Sequence, residues 1–354
     1  MRSWPAASMA VCFALPEIPY RSGVSLRALF LSGDDLAPGH IMASFFLNRL
    51  LHAVAVLFGV VTVTFLLLHL GGDPLSGLVP PGASPEVEAQ LRHTYGLDRP
   101  LPEQYMTFVA RAVVGDFGES WRQGRPALSA VLERLPATIV LTLAATATSS
   151  VAGCALGVLA AEHEGSAWDL LARALAMLGQ AVPAFWLGTM LILVFAVRLH
   201  WLPASGMTGL AGVLLPALAL AAYPAAALTR LVRASMIENL GADYVRTARA
   251  KGLPERVVMR EHALRNAALP ALAYTGLQAG FLLGGAVIVE GVFAYPGIGS
   301  LALDAVFTRD VPLVEAFVWT VAILILVVNT GTALIAAAID PRLALVTDAP
   351  GAAS

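Results

Sequence analysis

Six apolar runs, each free of Asp, Glu, Lys and Arg, alternate with polar stretches from residue 50 onward. The first, 50–70, reads LLHAVAVLFGVVTVTFLLLHL and follows Arg49. The others lie between Arg134 and Glu162, Arg173 and Arg198, Arg198 and Arg230, Arg265 and Glu290, and Glu315 and Asp340. About 20 such residues wound as a helix cover the ~30 Å hydrocarbon core of a bilayer, so each run predicts a crossing. The expected fold class is all-α, a polytopic membrane protein with six transmembrane helices.

The polar stretches set the domain plan. Residues 42–70 are an N-terminal segment and the first span, and 136–340 hold the other five. Residues 71–135 carry mixed charge, are broken by Pro80, Pro81, Pro85, Pro100 and Pro102, and contain no run long enough to span. They predict an extramembrane region with short helices over 85–95 and 102–114. Residues 341–354 form a tail. Residues 1–41 differ from the rest and read as a disordered extension, or as an over-extended start with Met42 as the true beginning. A weak signal-like run, 6–15, is closed by Pro16, Glu17 and Pro19 without a clean cleavage site.

The longest basic stretch is 241–270, GADYVRTARAKGLPERVVMREHALRNAALP. Residues 243–251 predict a short helix, Gly252 a left-handed stop, and Pro254 the first turn of a second helix to about Asn266. In that second helix Arg256 and Arg260 share one face and Val257 and Leu264 another. Such an amphipathic elbow has three readings: it lies on anionic lipid, reads DNA, or docks in a partner's groove.

Composition agrees with the membrane reading. The chain is 58% hydrophobic and 13% charged with a mean hydropathy of +0.74, against roughly a quarter charged in soluble domains. A net charge of −2 gives no case for nucleic acid. Distribution of charge matters more. Arg230, Arg233, Arg246, Arg249, Lys251, Arg256, Arg260 and Arg265 crowd one loop, whereas 290–315 has only Arg309. Positive charge stays inside, which puts 241–270 and both termini in the cytoplasm and 71–135 outside.

Within the spans, Pro183 beyond Gln180, and Pro216 and Pro224, predict breaks that free backbone carbonyls at membrane depth. These four, with Gln278, are the candidate pathway or helix-break residues. Gly276, Gly280 and Gly284 recur every four residues, as do Gly153 and Gly157, which predicts close helix packing within this chain or against a second membrane subunit.

Little here supports catalysis. Glu290 and Asp340 end spans, where charge reaches water or headgroups and anchors the helix. The histidines are scattered, with no metal-holding spacing, and Cys12 and Cys154 make no framework. No Gly-Lys dipeptide occurs, so the phosphate-binding loop of P-loop ATPases is absent. The sequence implies no catalytic residue, cofactor or metal. A self-sufficient secondary transporter would show mid-span ionisable residues, which are nearly lacking.

The run Tyr244-Val-Arg-Thr-Ala-Arg-Ala-Lys-Gly252, through His262-Ala-Leu-Arg-Asn266 to Leu269-Pro270, resembles the coupling loop of ABC-transporter permeases of the dipeptide/oligopeptide importer family. Further landmarks follow in that family's order: Gly72-Asp73-Pro74, Tyr95-Gly-Leu-Asp-Arg-Pro100, Gly115-Asp116, Arg134-Leu-Pro136 and Trp201-Leu-Pro-Ala-Ser-Gly206. Glu290 with Tyr295-Pro-Gly-Ile-Gly299, and Asp340-Pro-Arg342, complete the set. The resemblance implies the type I importer permease fold, in the inner membrane. It also implies a second homologous permease, two ATP-binding subunits and an extracytoplasmic substrate-binding protein as partners, with membrane lipid around them and no nucleic acid. The ATPase contacts it implies fall among Tyr244, Arg246, Thr247, Ala248, Arg249, Lys251, Gly252, Leu253, Arg256, Arg260, His262 and Arg265. Ala248 and Gly252 match the general importer pattern, but Arg246 stands where that pattern has Glu and Thr247 where it has its first Ala.

Overall fold

The computed structural model describes residues 38–70 and 83–339, with Leu75 and Val79 between them. The segment 1–37, the Gly72-Asp73-Pro74 motif, Asp340 and the tail 341–354 lie outside the described residues. Residues to Leu50 form one unit, of which only the beginning of the first helix is described; the chain from Leu51 forms a second.

Eleven helices run through the described residues. Helix α1 is Pro38–Leu70, α2 Pro85–Thr94, α3 Leu101–Val114 and α4 Ala127–Glu162. Helices α5 and α6 are Ala167–Ala181 and Ala184–Arg198; α7 is Gly209–Leu240 and α8 Asp243–Ala250. Then come α9, Glu255–Val292, α10, Ile298–Thr308, and α11, Val311–Ile339. Five of these are long and apolar enough to cross a bilayer, and α5 with α6 has the length and composition of a sixth crossing. The short helices α2 and α3 fall within a residue of where the proline pattern placed them.

The third run is not one straight helix. α5 starts at Ala167, upstream of Arg173, and meets α6 at an angle of 106°. Val182, between them, is extended, because the ring of Pro183 excludes helical backbone before it. The expected breaks at Pro216 and Pro224 do not occur: both rings are buried inside α7, which continues past them to Leu240. Each proline deletes one hydrogen bond of the ladder, a loss tolerated where the ring is buried against neighbouring helices, as both are here.

α7 is the central post. Against it lies α4, close enough that a Cβ at Gly153 would stand 2.9 Å from the Ala225 carbonyl and one at Gly157 2.9 Å from that of Thr229. The glycine spacing thus sets the α4–α7 approach. The Gly276 series behaves differently. A Cβ at Gly276 would collide with Thr332 of α11, and one at Gly280 would come within 3.1 Å of Asn329, whereas Gly284 meets nothing within 4 Å. Two of the three therefore pack within the chain and the third faces open space.

The core divides along α4. At its start, Ala127 and Val131 pack with Phe117, Ile298, Leu301 and Leu313. At its end, Ala161 packs with Val232, Met236, Ala263 and Ala267. Between them, Leu141 and Ala145 meet α7 and α9. Outward-facing apolar residues such as Phe58, Leu67, Leu143 and Phe281 present to lipid the surface a water-soluble fold would hide.

Candidate functional site

The basic elbow sits where α7, α8 and α9 meet. α8 ends at Ala250, and the chain reverses through Gly252 at φ +78°, a left-handed conformation in which a side chain is strained. Leu253 N–H then bonds back to the Ala248 carbonyl. The turn is fastened by Arg249, which donates to both carboxylate oxygens of Glu255 at 3.2 and 2.7 Å and to the Leu240 carbonyl at 3.4 Å. That pairing holds the Glu255 carboxyl below the usual carboxylate range and raises the Arg249 guanidinium.

Beneath the turn, Val245, Ala248 and Val258 form a small buried cluster. The elbow is thus a folded unit with its own core. Two side-chain bonds then tie it to both long helices. Tyr244 Oη donates to Asn239 Oδ1 at the end of α7, and Asn266 Nδ2 of α9 donates to Tyr244 Oη at 2.9 Å.

The second arm differs from its expected form. It does not stop near Asn266 but continues through Pro270 into α9. Val258–Leu264 is wound as a π-helix, so its buried positions are Val258 and Ala263, five apart, followed by Ala267 and Ala271. Val257 and Leu264, expected on the apolar face, are only half-buried. Of the predicted contact residues, Tyr244, Arg246, Thr247, Arg249, Lys251, Gly252, Leu253, Arg256, Arg260 and Arg265 are exposed and His262 is half-buried. Ala248 differs from these: it is buried, packed under the turn with Val245 and Val258.

Two polar anchors escaped the sequence reading. Asp169, 1% exposed, accepts from Arg233 Nε at 2.7 Å and Nη2 at 2.9 Å, from Gly165 N–H at 3.1 Å, and pairs with Arg173 at 3.3 Å. Ser166 caps α5 by accepting from Trp168 and Asp169 N–H, so the Ser-x-x-Asp capping box was the available signal. Next to this pair, Arg230 donates to Gln180 Oε1 at 2.7 Å across an open groove of about 520 Å³ shared by α5 and α7. Gln278 is half-buried on α9, away from that groove's lining.

Glu290 is the second anchor and a correction. It is not a surface anchor but fully buried, accepting from Thr138 Oγ1 at 2.6 Å, Gly299 N–H at 2.7 Å and Ser300 N–H at 3.1 Å. Those two amides open α10, so the carboxylate caps that helix from another element. A Cβ at Gly297 would collide with the Glu290 carboxyl, and one at Gly299 would sit 2.5 Å from Val287 Cα. Tyr295-Pro-Gly-Ile-Gly299 is therefore the backbone that lets a buried acid reach a helix end. On the other flank, buried Asp310 accepts from Ser120 Oγ and from Trp121, Arg122 and Leu313 N–H, joining the 116–126 turn to α11. Among the described residues no group of three His, Cys, Asp or Glu is placed to hold a metal.

The chain is similar in sequence to known proteins. The family described as binding-protein-dependent transport system inner membrane component matches residues 153–345, and its N-terminal counterpart matches residues 42–142. The glutathione transport system permease protein GsiC of Escherichia coli strain K12 is 39% identical over 303 residues, 85% of this chain and 99% of its own length. GsiC of Shigella flexneri serotype 5b gives the same identity and coverage. A chain of the MetNI methionine ABC transporter, solved in inward-facing conformations, is 18% identical with a TM-score of 0.48, covering 59% of this chain and 95% of that one. Matched by both parts of the family and by such relatives across most of its length, the chain belongs to the binding-protein-dependent transport system inner membrane components, the permease subunits of ABC importers.

Proposed function

We propose that this permease imports small peptide-like solutes, forming the pathway with a second similar permease and taking its energy from two separate ATP-binding subunits. The observation that carries this reading is the elbow. It presents a ridge of exposed Arg246, Lys251, Arg256 and Arg260 on a unit with its own buried cluster, bonded to the ends of both α7 and α9. A partner that grips the ridge moves both helices together, and rocking of helix groups about the bend at Pro183 opens the pathway to one side at a time. Gln180, Pro183 and Gln278 remain the proposed pathway residues. The positive elbow and both termini face the cytoplasm, and 71–135 faces an extracytoplasmic binding protein. Hydrolysis takes place on the partner subunits, since this sequence has no phosphate-binding loop.

The name of the relatives brings glutathione, a tripeptide, to the head of the substrate candidates, with dipeptides and oligopeptides beside it. Uptake into cells expressing the full importer is the test. Labelled glutathione should accumulate, and a short peptide should compete with it more strongly than a nickel chelate or a sugar. Accumulation that peptides leave untouched refutes the substrate class. Accumulation without any ATP-binding subunit refutes the division of labour.

A further inference from the structure

Helix α3 presents three faces to three different surroundings. At 14 residues it is too short to cross a bilayer. One face is packed: Ala112 is buried, and Phe108 and Val109 lie against the cluster that holds Phe117, Ala127 and Val131. A second face is polar and tied to neighbouring turns. Gln104 donates to the Leu97 and Arg99 carbonyls, Arg111 donates to Asp116, and Thr107 lines one pocket with both.

The third face is apolar and bare. Pro102, Met106, Ala110 and Val113 fall within about 80° of one another around the helix axis, and all four are exposed. Met106 is 66% exposed and Val113 78%, with Val114 beside them at 76%. Large apolar side chains left bare along one stripe mark a surface that meets lipid or protein.

Depth decides between the two. Tyr105 Oη of α3 shares a hydrogen bond of 2.7 Å with Thr62 Oγ1 of α1, and its ring meets Phe65 edge-on at 5.3 Å. Phe108 stacks on the same Phe65 at 5.8 Å. The apolar span of α1 runs to Leu68, so Thr62 lies about 9 Å inside that end. In the same two turns α1 exposes Val63, Leu66 and Leu67, which belong to its lipid-facing surface. α3 is therefore fastened beside α1 at acyl-chain depth, with its polar side bonded to the turns at 95–99 and 116–121.

From this placement we infer that α3 lies in the bilayer interface at the Leu70 end of α1, with Met106, Ala110 and Val113 against lipid acyl chains. Interfacial helices bury their apolar face about 5–10 Å into the boundary between headgroups and chains, and Thr62 sits at that depth. Arg111 stands opposite the stripe, on the water side, where its partner Asp116 is exposed. The segment between α1 and α4 thus lies on the membrane and does not project from it.

The test places single cysteines, Met106→Cys, Val113→Cys or Thr107→Cys, in the full-length chain with Cys12 and Cys154 replaced by alanine. Each is tagged with a nitroxide. Its collisions are measured with oxygen, which concentrates in lipid, and with a water-soluble nickel chelate. All three side chains are exposed, so the tag leaves the fold intact. Lipid nanodiscs keep both membrane faces open, and the permease is measured alone and with its partner subunits. The ratio of oxygen to nickel collisions should be at least about threefold higher at positions 106 and 113 than at 107 in both preparations. Nickel collisions as frequent at Val113→Cys as at Thr107→Cys put the stripe in water and overturn the inference. Loss of both kinds of collision at 106 and 113, in either preparation, shows a protein cover and overturns it as well.

Discussion

Gly252 offers a clean perturbation of the elbow, because a side chain there meets no neighbour. It sits at φ +78° with nothing within 4 Å of an added Cβ, so any cost of substitution is backbone strain and not collision. For an L-residue the left-handed region costs about 1–2 kcal/mol, with Asn the least penalised and β-branched residues the most. Gly252→Asn should therefore cost a few tenths of a kcal/mol, Gly252→Ala about 1 and Gly252→Val about 2. At 1.4 kcal/mol per decade, Ala shifts the balance toward an opened turn about fivefold and Val about thirtyfold. Hydrogen exchange of the α8 amides in the assembled importer reads that balance, and the ratio of solute imported to ATP hydrolysed reads its consequence. Both should follow the order Gly, Asn, Ala, Val. Equal exchange and equal coupling in Gly252→Val and wild type would refute the reasoning, as would an order set by side-chain size alone.

Other changes probe the anchors. Glu290→Ala removes a carboxylate that three donors share and leaves them buried, and at about 1–3 kcal/mol per orphaned group the permease should lose on the order of 5 kcal/mol. Thermal unfolding in detergent should show a large fall for Ala and a smaller one for Gln; an unchanged transition contradicts the capping role. Arg233→Ala leaves Asp169 buried without its two-pronged partner, so adding Asp169→Ala should restore stability, and a double mutant worse than Arg233→Ala alone would count against the pair. Gly276→Val forces α9 away from Thr332 and should destabilise the permease. Gly284→Trp, facing open space, should leave the isolated permease intact, and weaken pairing only where the second permease covers that face; size-exclusion profiles of both variants separate the cases.

Runs of apolar residues made the spans legible, because in lipid every backbone group must be bonded within its own helix. Gly252 was legible for a similar reason: a lone glycine after a short helix, followed by Pro254, leaves few backbone solutions. Long-range polar contacts were not legible. Glu290 looks like the polar end of a span until Gly299 and Ser300 come back to it, and Arg233 lies 64 residues from Asp169. Local rules also failed where packing overrode them. Pro216 and Pro224 read as breaks yet sit within a continuous α7, and five-residue spacing in Val258–Leu264 moved the buried face from Val257 to Val258.

Whether the elbow is gripped by an ATP-binding subunit can be measured directly by labelling. A cysteine at Lys251, exposed at the tip of the turn, would be reacted with a membrane-impermeant maleimide in inside-out vesicles, with and without the ATP-binding subunits. Cys12 and half-buried Cys154 would first be replaced by alanine. The account predicts fast labelling of the permease alone and at least tenfold protection in the assembled importer. Equal rates with and without those subunits would contradict it.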